Sequence, residues 1–358
     1  MGYYNIKAIS HSSLRQFDPR NGGSPEKFKA YWDGRLETKD SPAMRLGRDW
    51  HSFLLEPETV VIMEEDFKIS DKVVTMIDEL FDKMVLKESL EAGRKKVRPK
   101  ALASYESELL EIADEHQYQR NWKPETKLKK LMDAEAYWEF KRENFGKVIL
   151  SPAQTVKLKV MMASIERLKK DSREASDTWH LEYIMGEVKG LLTFTEKEFF
   201  WDIDKPLHLK GKAKVDRIIV DPKNKRWWFI DPKSSDDVTT SGFIFKKNYY
   251  RQMGSYYQAI DRGMALKEDP RFKWQDLEFM GCYILGTSTD EYPISRIYYL
   301  DQRTLELGLK AYNIILEELL WHFRNDNWKS TKEQIDNHYV LEATPPLWLI
   351  EQHTISSW

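Results

Sequence analysis

The stretch LHLKGKAKVDRIIVDPKNKRWWFIDPK, residues 207–233, predicts a β-hairpin, and this hairpin decides the fold. Its first half alternates between apolar and polar side chains, and its second half carries the apolar, aromatic run WWFI. The segment DPKNK between the two halves has the composition of a turn. A turn centred between Lys223 and Asn224 would place Asp216 directly opposite Asp231 on the neighbouring strand.

The two aspartates of this hairpin have the chemistry of a metal site. Their Cβ atoms would be about 5 Å apart on one face of the sheet, and Lys233 shares that face because it lies two residues after Asp231. Adjacent carboxylates repel each other unless a cation lies between them, and Mg²⁺ prefers carboxylate oxygens. With Asp216 and Asp231 as ligands, such a metal could polarise a phosphate oxygen and activate water.

Lys233 could stabilise the developing charge of that reaction, or orient and deprotonate the water. These residues therefore suit phosphodiester hydrolysis. The alternative is an edge hairpin whose charged side chains face solvent. The aromatic run indicates instead a buried strand, in which carboxylates need a partner.

Further candidates lie outside the hairpin. Glu196 and Glu198 have the same parity in a predicted strand, so either could reach the metal unless both face solvent. His51 follows Gly47 by four residues and shares its helix face, where a glycine allows another backbone to approach closely. The alternative role for His51 is a structural hydrogen bond.

A later helix carries Gln252 and Tyr256, which are four residues apart and share one face. Both could contact a phosphate or a base edge, or they could belong to an aromatic core stripe. The chain has 56 basic and 58 acidic side chains, so DNA binding would need a local basic surface. The candidate basic clusters, each of which could instead be a solvated face, are Arg94-Lys95-Lys96 with Arg98 and Lys100, the trio Lys210, Lys212 and Lys214, and Lys246-Lys247 with Arg251.

The composition is that of a globular protein with a substantial core. The 358 residues are enough for one large domain or two small ones, and 41% of them are hydrophobic. The single cysteine, Cys282, excludes an internal disulfide and a cysteine-rich metal cluster. The sequence has no apolar run of about 18 residues and no apolar signal-peptide stretch at its start. We therefore expect a cytoplasmic protein with no membrane partner.

The periodicity changes from helical to strand-like near Leu191, which predicts an α/β or α+β core flanked by helices, and we expect the α/β class. Ser41 and Ser151 are each followed by proline and predict helix N-termini. The predicted strands are 192–201, 207–220, 226–233, 275–286 and 292–300, and the predicted later helices are 242–263 and 302–323. The predicted organisation is an N-terminal segment with the histidine helix (1–57), a helical, charge-rich insertion or cover (58–150), the core (151–330) and a tail packed on it (331–358).

The order of these residues resembles the PD-(D/E)XK nuclease superfamily. The order is Leu46-Gly47 with His51, then Glu196, Asp216, Asp231-x-Lys233, and Gln252-x-x-x-Tyr256. Within the superfamily the chain is similar to the RecB-type branch, and most closely to the exodeoxyribonuclease VIII (RecE-like) group of phages and prophages. The resemblance spans nearly the whole chain and is weakest over 58–150. The segments that support it further are Ser10 to Leu14, Ser24-Pro25, Met44 to Pro57, Glu196 to Trp201, Lys212 to Asp216, Trp328 and Pro345 to Trp348.

The resemblance implies a restriction-endonuclease-like core with a mixed central β-sheet flanked by helices, plus a helical N-terminal region. It implies that Asp216 and Asp231 are metal ligands, that Lys233 is the catalytic lysine, and that His51 is an added metal ligand. Glu196 would complete the acidic set, as a ligand to a second metal or through water. DNA would be contacted by Gln252, Tyr256, Lys212, Lys214 and Arg251.

The chain departs from the family pattern at Pro232, where an apolar residue is commoner. Because proline has no N–H to donate to a ladder, this departure predicts that the strand lies at an edge or is bulged there. The absence of a four-cysteine set argues against the iron–sulfur members of the same branch.

The implied activity is a Mg²⁺-dependent exodeoxyribonuclease in which Mn²⁺ substitutes. It would act 5′→3′ on double-stranded DNA and leave 3′ single-stranded tails for recombination or repair. The implied partners are double-stranded DNA, a single-strand annealing protein and further copies of the chain in a ring, in the phage or bacterial host cytoplasm. The alternatives are a structure-selective or nicking endonuclease and a catalytically silent DNA-binding protein on the nuclease fold.

Overall fold

The computed structural model describes residues 3, 6–36, 41–63, 67–92, 97–176, 179–264, 272–329 and 331. The predicted C-terminal tail, apart from residue 331, and the basic run Arg94-Lys95-Lys96 lie outside the described residues. Within the described ranges, every helix is too short or too polar to cross a membrane.

The first half of the chain is mostly helical, and the second half contains the strands of the main sheet together with further helices. The helices are α1 (His11–Leu14), α2 (Pro25–Trp32), α3 (Pro42–Leu55), α4 (Asp71–Glu91), α5 (Glu106–Glu115), α6 (Pro124–Leu131), α7 (Glu135–Glu143), α8 (Pro152–Ala175), α9 (Leu181–Ile184), α10 (Gly242–Lys246), α11 (Tyr249–Met264) and α12 (Gln302–Asn325). The strands are β1 (Val60–Ile62), β2 (Val148–Leu150), β3 (Leu192–Asp204), β4 (Leu209–Asp221), β5 (Arg226–Ser235), β6 (Glu278–Ser288) and β7 (Ser295–Leu300).

A mixed sheet of five strands in the order β3-β4-β5-β6-β7 is the centre of the described structure. Strands β5 and β6 are parallel and are connected through α10 and α11, whereas the other neighbours are antiparallel. This is the predicted α/β fold, with a mixed central sheet flanked by helices. Arg217 pairs with Ile230 and Asp221 pairs with Arg226, so the hairpin has the register that the sequence predicts.

The helix N-termini predicted at two serine–proline pairs are confirmed. Ser41 accepts a hydrogen bond from the backbone N–H of Met44 at the start of α3. Ser151 and Gln154 form a reciprocal capping box at the start of α8. These caps matter for the site because α3 carries His51 and α8 packs beside it.

One predicted helix is interrupted. The helix expected over 242–263 is divided into α10 and α11, because Asn248 between them has a left-handed backbone with φ +59°. The predicted strands of the central sheet are confirmed, with ends that shift by no more than three residues.

The aromatic run of β5 is buried on both faces of the sheet. Trp227 and Phe229 pack on the side of α11, and Trp228 and Ile230 pack on the side of α3 and α8. Burial on both faces explains why the strand is continuously apolar in sequence. The same alternation places the next odd-numbered residue, Asp231, on the α11 side.

The helices from α4 to α7 surround a hydrophobic core of their own. Its members include Phe81 and Trp138, whose ring centroids are 5.0 Å apart in an edge-on arrangement. The chain enters this helical lobe from β1 and leaves it into β2. Val60 and Val148 are partners in that parallel pair, so the lobe begins and ends at adjacent points.

The N-terminal segment joins the sheet where β5 has separated from β4. Ile9 forms an isolated bridge with Gly211, and its backbone exchanges hydrogen bonds of 2.8 Å with Lys210 and Lys212. Leu14, like Ile9, packs against α12. This anchoring brings α1 to the same side of the sheet as α11.

Candidate metal centre

Three side chains from separate elements meet at the point where β4 and β5 diverge. His51 from α3, Glu196 from β3 and Asp216 from β4 offer ligand atoms that all lie within 4.8 Å of one another. Nε2 of His51 is 2.8 Å from Oδ2 of Asp216, and Nδ1 is 3.3 Å from Oε1 of Glu196. The sequence analysis selected all three, and the fold brings them together.

Asp231 and Lys233 lie beside this trio on β5. The Lys233 ammonium group contacts Oδ2 of Asp231, which is completely buried. The pairing of β4 with β5 ends at Arg217 and Ile230, so Asp216 and Asp231 lie directly beyond the ladder on the two strands.

One oxygen of the buried Asp231 has no hydrogen-bond donor. Within the described part of the chain, Oδ1 of Asp231 accepts no hydrogen bond. An unsatisfied buried carboxylate oxygen is costly, and a cation would satisfy it. Together with two further carboxylates and an imidazole, this oxygen gives a donor set that fits a hard divalent metal ion such as Mg²⁺ or Mn²⁺.

The carboxyl groups of the centre differ in their affinity for protons. Burial and the neighbouring Asp216 carboxylate raise the pKa of Asp231 to about 7. Burial acts to raise the pKa of Asp216 as well, but the adjacent His51 imidazole lowers it below its ordinary value. Burial raises the pKa of Glu196 despite the opposing effect of Lys214. The raised pKa values of Asp231 and Glu196 indicate that negative charge at the centre is unfavourable unless a cation offsets it.

The basic groups respond to the same carboxylates. Burial acts to lower the pKa of His51, but Asp216 and then Glu196 raise it above its ordinary value. Burial acts in the same direction on Lys233, whereas Asp231 and Asp216 raise the pKa of its ammonium group. Lys233 therefore holds its proton firmly at neutral pH.

An unusual backbone conformation directs Glu196 into the centre. Its φ is +53° in the middle of β3, a region that is strained for a residue with a side chain. Phe194 and Phe199 both pack on the α11-side core, although residues five apart in a regular strand face opposite sides. The alternation is therefore irregular between them, and of the two predicted candidates it is Glu196 that lines the cavity. Glu198 is exposed.

Gly47 fits α3 against the end of β5. A Cβ atom at this position would lie 3.3 Å from Oγ of Ser234, a tight contact that the serine side chain would have to relieve by a few tenths of an ångström. His51 is one helical turn further along α3. Gly47 therefore lies on the face of α3 that approaches β5 most closely near the centre.

Helix α11 closes the other side of the centre. Gln252 donates a 2.8 Å hydrogen bond through Nε2 to the hydroxyl oxygen of Tyr256, which lines the same cavity as the trio. The ammonium group of Lys233 lies 5.2 Å from the ring centroid of Tyr249. Burial raises the pKa of Tyr256 well above its ordinary value, so its hydroxyl stays protonated.

The centre opens into a cavity of about 720 Å³. Its wall includes the basic residues Arg15, Arg48, Lys246 and Lys247. The sequence analysis named the lysine pair but missed both arginines. Arg48 directly follows the glycine of the histidine helix, and that adjacency was the available signal. Arg15 reaches the cavity through the tertiary placement of α1, for which the sequence carried no signal.

Two of the residues predicted to contact DNA have structural roles. Arg251 is fully buried, with its guanidinium nitrogen Nη1 2.6 Å from Oδ2 of Asp18, so the prediction of a DNA contact is wrong. Lys212 donates hydrogen bonds of 3.1 and 2.8 Å to the carbonyl groups of Tyr3 and Ile6, and it holds the N-terminal segment in place.

The structure also gives the positions of two further residues from the sequence analysis, Lys214 and Pro232. Lys214 contacts Oε2 of Glu196 and therefore lies in the centre itself. Pro232 lies in β5, which is internal in the strand order, but at this residue β5 pairs only with β6, so the predicted edge position holds locally. The proline is tolerated because the pairing of β4 with β5 ends at Arg217 and Ile230, before Pro232, and its missing N–H falls beyond that ladder.

Comparison with known proteins finds no matching family model and no matching protein of curated function. Among solved structures, the chain is similar to the crystal structure of a candidate exonuclease from Eubacterium rectale, at 13% identity and a TM-score of 0.47. The match covers 98% of this chain and 97% of that chain. A likeness of this degree carries no argument about activity, which rests on the geometry of the centre.

Proposed function

We propose that this protein is a metal-dependent deoxyribonuclease. The observation that carries the proposal is the meeting of His51, Glu196 and Asp216 within 4.8 Å, beside the buried pair of Asp231 and Lys233. An imidazole, three carboxylates and a lysine around one cavity suit the hydrolysis of phosphodiesters. The basic residues of the cavity wall suit a polyanionic substrate.

Each residue of the centre has a role in this proposal. His51, Asp216, Asp231 and Glu196 would hold a divalent metal. The bound metal would polarise the scissile phosphate and lower the pKa of a water molecule. Lys233 would place its positive charge against the phosphate as charge develops in the transition state. Its raised pKa favours this role over that of a general base.

Tyr256 and the basic wall would orient the substrate. The Tyr256 hydroxyl is fixed by Gln252 and stays protonated, so it can donate a hydrogen bond to a phosphate oxygen. Lys246 and Lys247 lie at the cavity beside Tyr249 and would contact neighbouring phosphates. These contacts would position DNA without reading its sequence.

The finer form of the proposal is a 5′→3′ exonuclease on double-stranded DNA that leaves 3′ single-stranded tails. The resemblance to the exodeoxyribonuclease VIII group supports this polarity. It also supports a ring of several copies, a single-strand annealing partner and a role in recombination. A chain with balanced charge needs a local basic surface to bind DNA, and the basic residues of the cavity wall would supply it.

A duplex labelled at one 5′ end, compared with a closed circular plasmid, tests the proposal. With Mg²⁺ or Mn²⁺ we expect progressive release of the 5′ label from linear DNA and an intact plasmid. Ca²⁺ should support binding with little cleavage, because it orients its ligands less strictly. A nicked plasmid would favour the endonuclease, and an intact linear duplex would favour the catalytically silent protein.

A further inference from the structure

The carboxylate of Glu196 divides its two oxygens between different partners. Oε1 faces Nδ1 of His51 at 3.3 Å, on the side of the metal-binding trio. Oε2 contacts the ammonium group of Lys214, which lies on β4 two residues before Asp216. Only one oxygen of Glu196 is therefore directed at the metal position.

This division limits the number of metal ions that the centre can hold. In two-metal centres the ions lie about 3.5–4 Å apart, and carboxylate oxygens of the protein hold both of them. Here a lysine occupies the second oxygen of Glu196. We propose that Lys214 takes the place of a second metal ion, so that the centre binds one divalent cation. The inference depends on the proposed function for the choice of a divalent cation.

The two lysines of the centre agree with a single ion. Lys214 and Lys233 each contact a carboxylate of the centre and therefore already place positive charge there. A second divalent cation would lie beside these ammonium groups, and the repulsion between like charges would oppose its binding.

The geometry indicates that the contact of Lys214 with Glu196 is specific. In the β3–β4 register, the residue directly opposite Lys214 is Glu198, an exposed acid. The ammonium group nevertheless contacts Glu196, whose left-handed backbone turns its carboxylate toward Asp216 and His51. Lys214 is thus a positioning residue that acts through Glu196.

The number of bound Mn²⁺ ions per chain tests this inference, measured by electron paramagnetic resonance of free Mn²⁺ in the absence of DNA. The wild type should bind one ion, and Lys214→Met should bind two because the second oxygen of Glu196 is released. Lys214→Arg keeps the charge and should bind one. Lys205→Met, in the exposed β3–β4 turn, is the matched control and should also bind one. His51→Ala should lose the ion of the wild type.

Two outcomes would overturn the inference: two ions in the wild type, or one ion in a folded Lys214→Met variant. Circular dichroism checks the fold of each variant. If Lys214→Met does not fold, the wild type decides, since one ion supports the inference and two ions overturn it. Because ion binding is measured without substrate, a protein that binds one ion but leaves DNA intact would refute the proposed function and not this inference.

Discussion

At the scale of single residues, Asp231 is the most deeply buried carboxyl group of the centre. This carboxylate is completely buried, and the Lys233 ammonium group is its ion-pair partner. A buried pair of this kind is weak evidence for stability, because desolvation offsets the attraction. Its placement beside Asp216, at the end of a hydrogen-bonded ladder, is better explained by a role in binding and catalysis.

Replacement of Lys233 tests that role directly. Lys233→Met keeps the length of the side chain but removes the charge that would stabilise the transition state. We expect the rate of linear-duplex cleavage to fall by about 10²–10³-fold, as when one stabilising donor is removed from an active site. Steady-state digestion of a labelled duplex measures the change, with Lys205→Met as the control. A Lys233→Met rate close to that of the wild type would exclude Lys233 from catalysis.

The raised pKa of Asp231 predicts a pH-dependent stability in metal-free protein. Its pKa is about 7 in the folded state and about 4 when unfolded, so the folded state holds the proton more tightly. The resulting stabilisation is fully present below about pH 4 and is lost as the pH rises through 7. Asp231→Asn should remove this component.

Urea denaturation in EDTA, at several pH values between 4 and 8, measures the free energy of unfolding for both proteins. The wild type should lose stability relative to Asp231→Asn as the pH increases. Parallel curves for the two proteins would contradict the prediction. In the presence of metal, the ion competes with the proton on Asp231, so cleavage should increase with pH as this carboxyl group loses its proton.

At the scale of elements, the site depends on how closely α11 packs against α12. A Cβ atom at Gly308 would lie 2.0 Å from the carbonyl oxygen of Tyr250, and one at Gly254 would lie 2.3 Å from the backbone nitrogen of Leu309. Both contacts involve backbone atoms, which cannot rotate away. The two glycines therefore let the helices touch, and this contact helps to place Tyr256 at the cavity.

Gly308→Ala should separate α11 from α12. We expect a loss of about 3 kcal/mol in the free energy of unfolding, at the upper end for an overpacked core. Cleavage should also weaken because Tyr256 moves with α11. Thermal and urea unfolding measure the first effect, and Leu307→Ala on the exposed side of the same helix is the control. Unchanged stability in Gly308→Ala would show that the helices can separate without cost.

The elements also show why some features were predictable from the sequence. The hairpin register depends on local alternation and turn composition, so it could be read from residues 207–233. The break between α10 and α11 depends on one left-handed asparagine, which periodicity does not reveal. The face of Glu196 depends on a positive φ in β3, and the cavity position of Arg15 depends on the tertiary docking of α1. Features set by local pattern were predicted, and features set by backbone strain or docking were missed.

At the scale of the whole molecule, the metal centre connects the N-terminal helix α3 to the sheet. The proposed ligands lie on α3, β3, β4 and β5, so an ion bound there would be lost when these elements separate. Ligands that bind only the folded state stabilise it in proportion to their occupancy. An ion bound at the proposed centre would therefore stabilise the fold.

Addition of Mn²⁺ or Mg²⁺ should consequently raise the unfolding temperature. At 100 times the dissociation constant, the gain is about 2.7 kcal/mol. Differential scanning fluorimetry with and without EDTA measures the shift, and His51→Ala should reduce or abolish it. An equal shift in His51→Ala and wild type would mean that the ion binds elsewhere.

The pairing of Val60 with Val148 has a consequence for how this architecture can vary. Because β1 and β2 are neighbours, both ends of the 85-residue segment from 63 to 147 join the rest of the protein at one place. The entropy of closing such a segment changes slowly with its length. This segment can therefore be lengthened, shortened or replaced while β1 and β2 stay paired, and the strands that carry the carboxylates need not move.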